Sequence, residues 1–265
     1  MLKQRIVTAL ILLPLMLLML FGSGSLLWAA FGGLIALLAL WEYGRMAGLS
    51  SEQQNAYLGG TAFFMLTAYA GDWQLPAFIW LLVLAFWLLL MPIWLYKKWK
   101  IRAGTKTYIC GWLLMLPFWF ALLRLRPDSD DAGHLLALMV LVWLADSAAY
   151  FVGRAFGKTQ LAPVLSPKKS WEGAVGGLIA VWLYVVFACH AGWLALGGSW
   201  LGIIAAATVL TFVSIGGDLL ESWLKRAANI KDSSNLLPGH GGVFDRVDSL
   251  IAVLSVYAAV QALYA

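Results

Sequence analysis

Read for the alternation of apolar and polar positions, the chain resolves into nine apolar stretches separated by short polar breaks. They fall at about 6–22, 26–43, 56–71, 76–95, 107–124, 133–153, 173–190, 199–221 and 245–263. A helix crosses the hydrocarbon layer with about 20 apolar residues, within a range of about 17–25. Each stretch therefore reads as a membrane-spanning helix, the third being the shortest and the richest in Gly, Ala and Thr. The breaks are too short to carry separate domains. The pattern predicts an all-α polytopic bundle of about nine helices, a single membrane domain over residues 1–265.

Composition agrees with this pattern. Hydrophobic residues make up 62% of the 265 and charged residues only 12%, where a soluble domain carries about 25% charged residues. One aqueous core cannot hide so much apolar surface, so the lipid bilayer is the solvent for most of it. Fifteen tryptophans fit the same setting, since indole favours the membrane–water boundary. The N-terminal basic start and apolar run also resemble a cleaved signal peptide, but the run is long for one and reads as a retained first span. Cys110 and Cys189 lie in apolar runs without metal-ligand spacing and read as packing residues.

Charge then orients the bundle. With the N-terminus in the cytoplasm, sixteen of the eighteen Lys and Arg fall in cytoplasmic segments, and only Arg124 and Arg126 fall outside. Cytoplasmic loops carry the Lys and Arg excess, so nine spans with an inner N-terminus and an outer C-terminus are expected. The net charge of +5 follows from those loops and gives no reason to expect nucleic acid. The two long loops, at about 154–172 and 222–244, both belong to the cytoplasmic side.

Polar residues cluster on that side, in regions 146–173 and 216–249. Asp146 lies within the sixth span, where a charge costs about 2.5–3.5 kcal/mol and marks a candidate functional group; a helix-locking ion pair is the plainer alternative. The segment SPKKS supplies Lys168 and Lys169, which suit phosphate or, more plainly, anionic headgroups. Asp218 follows Gly216 and Gly217, with Ser222 and Lys225 on the same helical face, Glu221 beside them and Arg226 next. The stretch KDSSNLLPGHGGVFDRVDS at 231–249 adds Lys231, Asp232, His240, Gly241, Gly242, Asp245, Arg246 and Asp248. Carboxylates at a helix start favour the macrodipole alone, but that does not account for three Asp with Lys, Arg and His in so short a run. Hard oxygen ligands interleaved with cations suit Mg²⁺ and phosphates. A magnesium-dependent site that handles phosphates at the cytoplasmic face is the resulting expectation, with a lipid substrate entering sideways.

The run Ser222, Leu224, Lys225, Arg226, Lys231, Asp232, Ser234, Leu237, Pro238, His240, Gly241, Gly242, Val243, Asp245 and Arg246 resembles the signature of the phosphatidate cytidylyltransferase family. Asp146, Ser147, Tyr150, Gly153 and Arg154, then 166–173, are similar to the same family. The resemblance implies transfer of CMP from CTP to membrane phosphatidate, giving CDP-diacylglycerol and pyrophosphate, in the bacterial cytoplasmic (inner) membrane. It implies metal ligation by Asp218 and Asp245, with Asp146, Asp232 and Asp248 as further candidates and room for a second cation, and catalytic roles for Asp218, Asp245, Lys225 and Asp146. Ser222, Arg226, Lys231, His240, Gly241, Gly242, Arg246, Lys168 and Lys169 are the expected substrate contacts. A homodimer is compatible with the family, and Gly173 and Gly177 could pack helices within one chain or between two. A CDP-alcohol phosphotransferase, a CTP-dependent lipid kinase and an ion-coupled transporter are the competing classes. The chain has no Asp run of the first kind, and its polar residues gather at one face instead of at mid-membrane.

Overall fold

A computed structural model of the chain describes every residue except Met1, Ala195, Gly197 and Ala265, and the side chains of Leu2, Lys3 and Arg5. Its helices are α1 (Leu2–Gly22), α2 (Ser25–Met46), α3 (Ser51–Ala70), α4 (Ala77–Ala85), α5 (Met91–Lys97), α6 (Thr105–Leu125), α7 (Ala132–Phe156), α8 (Trp171–His190), α9 (Trp200–Ala227) and α10 (Phe244–Tyr264). A π-helical turn, Phe86–Leu90, joins α4 to α5 into one rod. Pro92 explains the irregularity in part, because it has no N–H to return to the carbonyl of Leu88. Seven of these segments are long and apolar enough to cross a membrane. The protein is all-α and polytopic. Helix α1 offers a shorter apolar run, Ile6–Gly22, and α3 is less apolar.

Helix α10 is the centre of the bundle. It packs against α2, α4, α6, α7 and α9, and residues 250–259 are buried all round, as expected of an interior helix that is apolar on every side. Helix α1 lies at the periphery, with Ile6, Leu10, Ile11 and Leu18 exposed. Apolar exposure of that kind belongs in lipid. Helices α2 and α6 run antiparallel: the Trp28 indole donates to the carbonyl of Leu122 at 3.0 Å and the Tyr43 hydroxyl to that of Thr107 at 3.1 Å. These two bonds tie opposite ends of the pair.

Two glycine contacts set the close spacing around the polar region. A methyl group at Gly173 would come 2.6 Å from the Ala149 carbonyl oxygen, and one at Gly177 2.8 Å from that of Ala145. The Gly173/Gly177 pair therefore seats α8 on α7 within the chain. On α9, a methyl at Gly217 would meet the Asp248 carbonyl at 2.7 Å, so this glycine brings α9 against the start of α10.

Between α7 and α8 the chain forms a small antiparallel hairpin, β1 (Gln160–Ala162) and β2 (Ser166–Ser170). The segment expected as loop is thus partly strand. Its base is closed by Glu172, whose two carboxylate oxygens each accept from the Thr159 N–H at 3.2 Å. Ser170 caps α8, accepting from the Gly173 N–H at 3.1 Å.

A candidate nucleotide and phosphate site

Most acids and cations of regions 146–173 and 216–249 meet in one cavity of about 720 Å³ between α7, α8, α9, the hairpin and the start of α10. Asp146, Asp218, Glu221, Asp232, Asp245 and Asp248 supply six carboxylates; Arg154, Lys168, Lys169, Lys225 and Arg246 supply five cations. Ala145, Ala149, Ala174 and Ile215 add apolar wall on the helix side. A second cavity of about 600 Å³ adjoins it, lined by Lys231, His240 and Gly241, and sharing Asp232 and Arg246 with the first.

Asp218, Glu221 and Asp248 form the tightest acidic group. One carboxylate oxygen of each lies within 4.8 Å of the others. Their spacing follows from sequence: Asp218 and Glu221 are three apart on α9 and share a face, and Gly217 lets Asp248 approach from α10. Three carboxylates so close repel one another unless a cation lies among them. Lys169, carried by β2, makes an ion pair with Asp218. Glu221 keeps one buried oxygen, Oε1, without a hydrogen-bond partner, and its other oxygen lies 2.5 Å from the Lys225 ammonium. An orphaned buried carboxylate oxygen beside two further carboxylates is a donor set that fits a hard divalent cation.

Asp245 is held quite differently. Its Oδ1 pairs with Lys225 at 2.5 Å. Its Oδ2 accepts from the Ser233 N–H, the Ser233 hydroxyl and the Gly242 N–H, each at 2.8 Å. Oδ2 thus fastens the 231–243 loop to α10, and Oδ1 ties α10 to α9 through Lys225. Gly241 sits at φ +84°, and a methyl there would come 2.7 Å from Asp245 Oδ2. Gly242 is buried against Ser233 and Glu42. The two glycines allow the loop to wrap the carboxylate closely.

Glu42 completes this loop anchor and was absent from the sequence-derived set. Fully buried near the end of α2, it accepts from the Ser233 hydroxyl at 2.9 Å, the Ser234 hydroxyl at 2.5 Å, and the N–H groups of Val243 at 2.9 Å and Phe244 at 2.6 Å. The last two are orphan donors at the start of α10, the place where a negative charge is favourable. A lone carboxylate inside the apolar run LALWEYGRM was the available signal, the same one that singled out Asp146.

The other expected residues distribute as follows. Asp146 faces the cavity and, among the described residues, has no ion-pair partner, so it does not lock helices together. Lys168 and Lys169 reach the cavity from β2. Ser222 donates to Asp218 Oδ1 at 3.3 Å. Arg226 is exposed beyond the cavity walls. His240 lies in the turn closed by the Leu237 N–H on the Gly241 carbonyl at 2.9 Å, and its Nδ1 is buried without a partner. Glu172 serves the hairpin and not the acid cluster.

Comparison with known proteins identifies the family. The family model described as the cytidylyltransferase family matches residues 3–264. A phosphatidate cytidylyltransferase of Pseudomonas aeruginosa is 43% identical, with 98% of this chain and 96% of the relative covered. One from Haemophilus influenzae is 35% identical, covering 97% and 98%. A Bacillus subtilis protein of the same name is 43% identical over 43% of this chain and 42% of its own length. With a match that runs nearly end to end, the chain belongs to the cytidylyltransferase family.

Proposed function

We propose that this protein is a phosphatidate cytidylyltransferase, joining CTP and phosphatidate to give CDP-diacylglycerol and pyrophosphate. The observation that carries the reading is the meeting of six carboxylates and five cations in one cavity with an apolar wall. A phosphate oxygen of phosphatidate forms a bond to the α-phosphorus of CTP, and the bond from that phosphorus to the β-phosphate bridging oxygen breaks. Pyrophosphate leaves with the electron pair. The nucleophile is already ionised at neutral pH, so no general base is required. The task left to the protein is to bring two polyanions together and hold them in line.

Asp218, Glu221 and Asp248 are the residues that would hold Mg²⁺, and Asp146 and Asp232, which line the same cavity, would be the candidates for a second cation. Bound there, magnesium would neutralise charge on the phosphates. Lys168, Lys169, Arg154 and Arg246 surround the same space and would bind phosphate oxygens, the arginines in bidentate fashion. Lys231 and His240, in the adjoining cavity, would take the nucleotide. Asp245, itself paired with Lys225, holds the loop that lines the second cavity. Ser222 orients the Asp218 carboxylate.

The reading includes nine membrane crossings, an inner N-terminus, an outer C-terminus and a cavity open to the bacterial cytoplasm, supported by the sixteen-to-two division of Lys and Arg. A homodimer belongs to it through family resemblance alone, and the Gly173/Gly177 pair would not make the contact.

The test is pyrophosphate release by purified protein in detergent with CTP, Mg²⁺ and phosphatidate, each omitted in turn. Release that needs all three, with CDP-diacylglycerol formed in equal amount, is expected. No release from folded protein with all three present would overturn the assignment.

A further inference from the structure

The far end of the bundle carries a feature that cytidylyl transfer leaves unused. A cavity of about 610 Å³ lies among the ends of α2, α3, α6 and α10, with Trp28, Tyr69, Trp73, Gln74, Arg124 and Arg126 in its wall. It is remote from the acid cavity, because α2 contributes Trp28 at one end and Glu42 fourteen residues later near the other, and α10 contributes Gln261 here and Asp245 there. Asp72 is the one acid among its described lining residues.

Arg126 is only 1% exposed. Its Nε donates to the Leu20 carbonyl at 2.9 Å and its Nη2 to the Ser23 carbonyl at 2.5 Å. Its guanidinium lies over the Trp28 ring, 5.1 Å from the centroid. Its Nη1 is buried with no partner, and so is the Nε of Arg124. Arg124 makes only a 3.5 Å contact, from Nη2 to the Gln261 carbonyl. Neither arginine has a carboxylate within ion-pair distance among the described residues, where every ion pair involves Lys169 or Lys225. Buried cations are ordinarily paired. Here two guanidinium groups share one cavity, each with an unused buried donor and neither in an ion pair, although Asp72 lines the same cavity and Asp128 lies near enough to Arg126 to act on its charge.

Arginine's planar fork matches an oxyanion with several equivalent oxygens. Trp73 is about half exposed and Tyr69 sits beside it, which suits the membrane–water boundary where phospholipid phosphates lie. We propose that this cavity binds a phosphate group through Arg124 and Arg126, presented by a phospholipid headgroup or free in solution. The site is separate from the cytidylyl-transfer cavity and its function does not depend on that reaction.

Thermal unfolding of the purified full chain in neutral detergent tests the proposal. One arm adds inorganic phosphate against sodium chloride of equal ionic strength. The other adds phosphatidylglycerol against diacylglycerol, which lacks the phosphate. Both are repeated in the Lys168→Ala/Lys169→Ala variant, which weakens phosphate binding at the acid cavity. The midpoint is expected to rise with at least one phosphate source in both backgrounds. Arg124→Gln should cut that rise by roughly half or more, because fewer ligand molecules are bound at a given concentration. Arg124 has a single long hydrogen bond to lose, so this variant should fold; Arg126→Lys, which keeps the charge and loses the fork, should also cut the rise. A response to phosphatidylglycerol alone identifies a lipid site, and a response to inorganic phosphate identifies a site open to free anions. No rise from either source, or a rise undiminished in both arginine variants, overturns the proposal.

Discussion

Asp218 and Asp245 both line the same cavity, yet different forces hold them. Asp218 is partly open to the cavity and grouped with Glu221 and Asp248, whereas Asp245 is enclosed by Lys225, Ser233 and Gly242. Their substitutions should therefore separate. Asp218→Asn is expected to reduce turnover by about 100-fold or more and to raise the magnesium concentration for half-maximal activity, since a metal ligand serves several kcal/mol of charge stabilisation. Its unfolding midpoint should stay near wild type. Asp245→Asn leaves the Ser233 and Gly242 donors competing for one acceptor oxygen, while Lys225 keeps its ion pair with Glu221, and a loss of about 1–3 kcal/mol is expected. Denaturation in detergent should show that loss directly; an unchanged midpoint would mean that the loop is held by other contacts. Glu42→Gln is expected to behave like Asp245→Asn, with a loss of about 1–3 kcal/mol, because an amide offers one acceptor oxygen where four donors converge. The acids of 146–248 were legible in sequence because they stand out from apolar surroundings. Glu42 stood out equally in its own span, but its partners lie 191 to 202 residues away, and no local pattern joins them.

At the level of elements, helices were the legible part. Each apolar stretch became a helix, since apolar length is a local property. The hairpin was not legible. SPKKS has neither alternation nor β-branched residues, and its strand form depends on pairing with 160–162 and on Glu172 closing the base. The π turn likewise follows from the joint presence of Pro92 and the contacts around it. Gly216 and Gly217 could be recognised as a pair preceding Asp218, but only the packed helices reveal what each faces: the Met91 side chain for Gly216, the α10 backbone for Gly217. Gly217→Ala is thus expected to force α9 from α10 and to cost about 1–3 kcal/mol through overpacking. Because the displaced seam carries Asp218 and Asp248, magnesium affinity should fall along with stability. Measuring both in one titration of purified protein checks this. A loss of stability with unchanged magnesium dependence would mean that the acid group tolerates the shift.

For the whole molecule, the decisive asymmetry is between its two ends. One gathers the acid cavity, the hairpin and the loop at 231–243. The other gathers Arg124 and Arg126, each with a buried donor that has no partner. The excess of Lys and Arg in the loops at the first end is the argument for the proposed cytoplasmic orientation. Single cysteines can test this in intact cells. The native thiols must first be removed, and Cys110→Ala and Cys189→Ala are suitable because both are free and lie in helices. In that background, Asn235→Cys in the loop at the acid cavity and Asp130→Cys in the turn after α6 are both exposed positions. A membrane-impermeant maleimide added outside should label Asp130→Cys at once and Asn235→Cys only after the cells are opened. The opposite order would invert the bundle and put the proposed CTP cavity where no cytoplasmic nucleotide could reach it. Labelling of both from outside would require an odd number of the intervening helices to remain uncrossed. The charge count would then reflect loop length and not orientation.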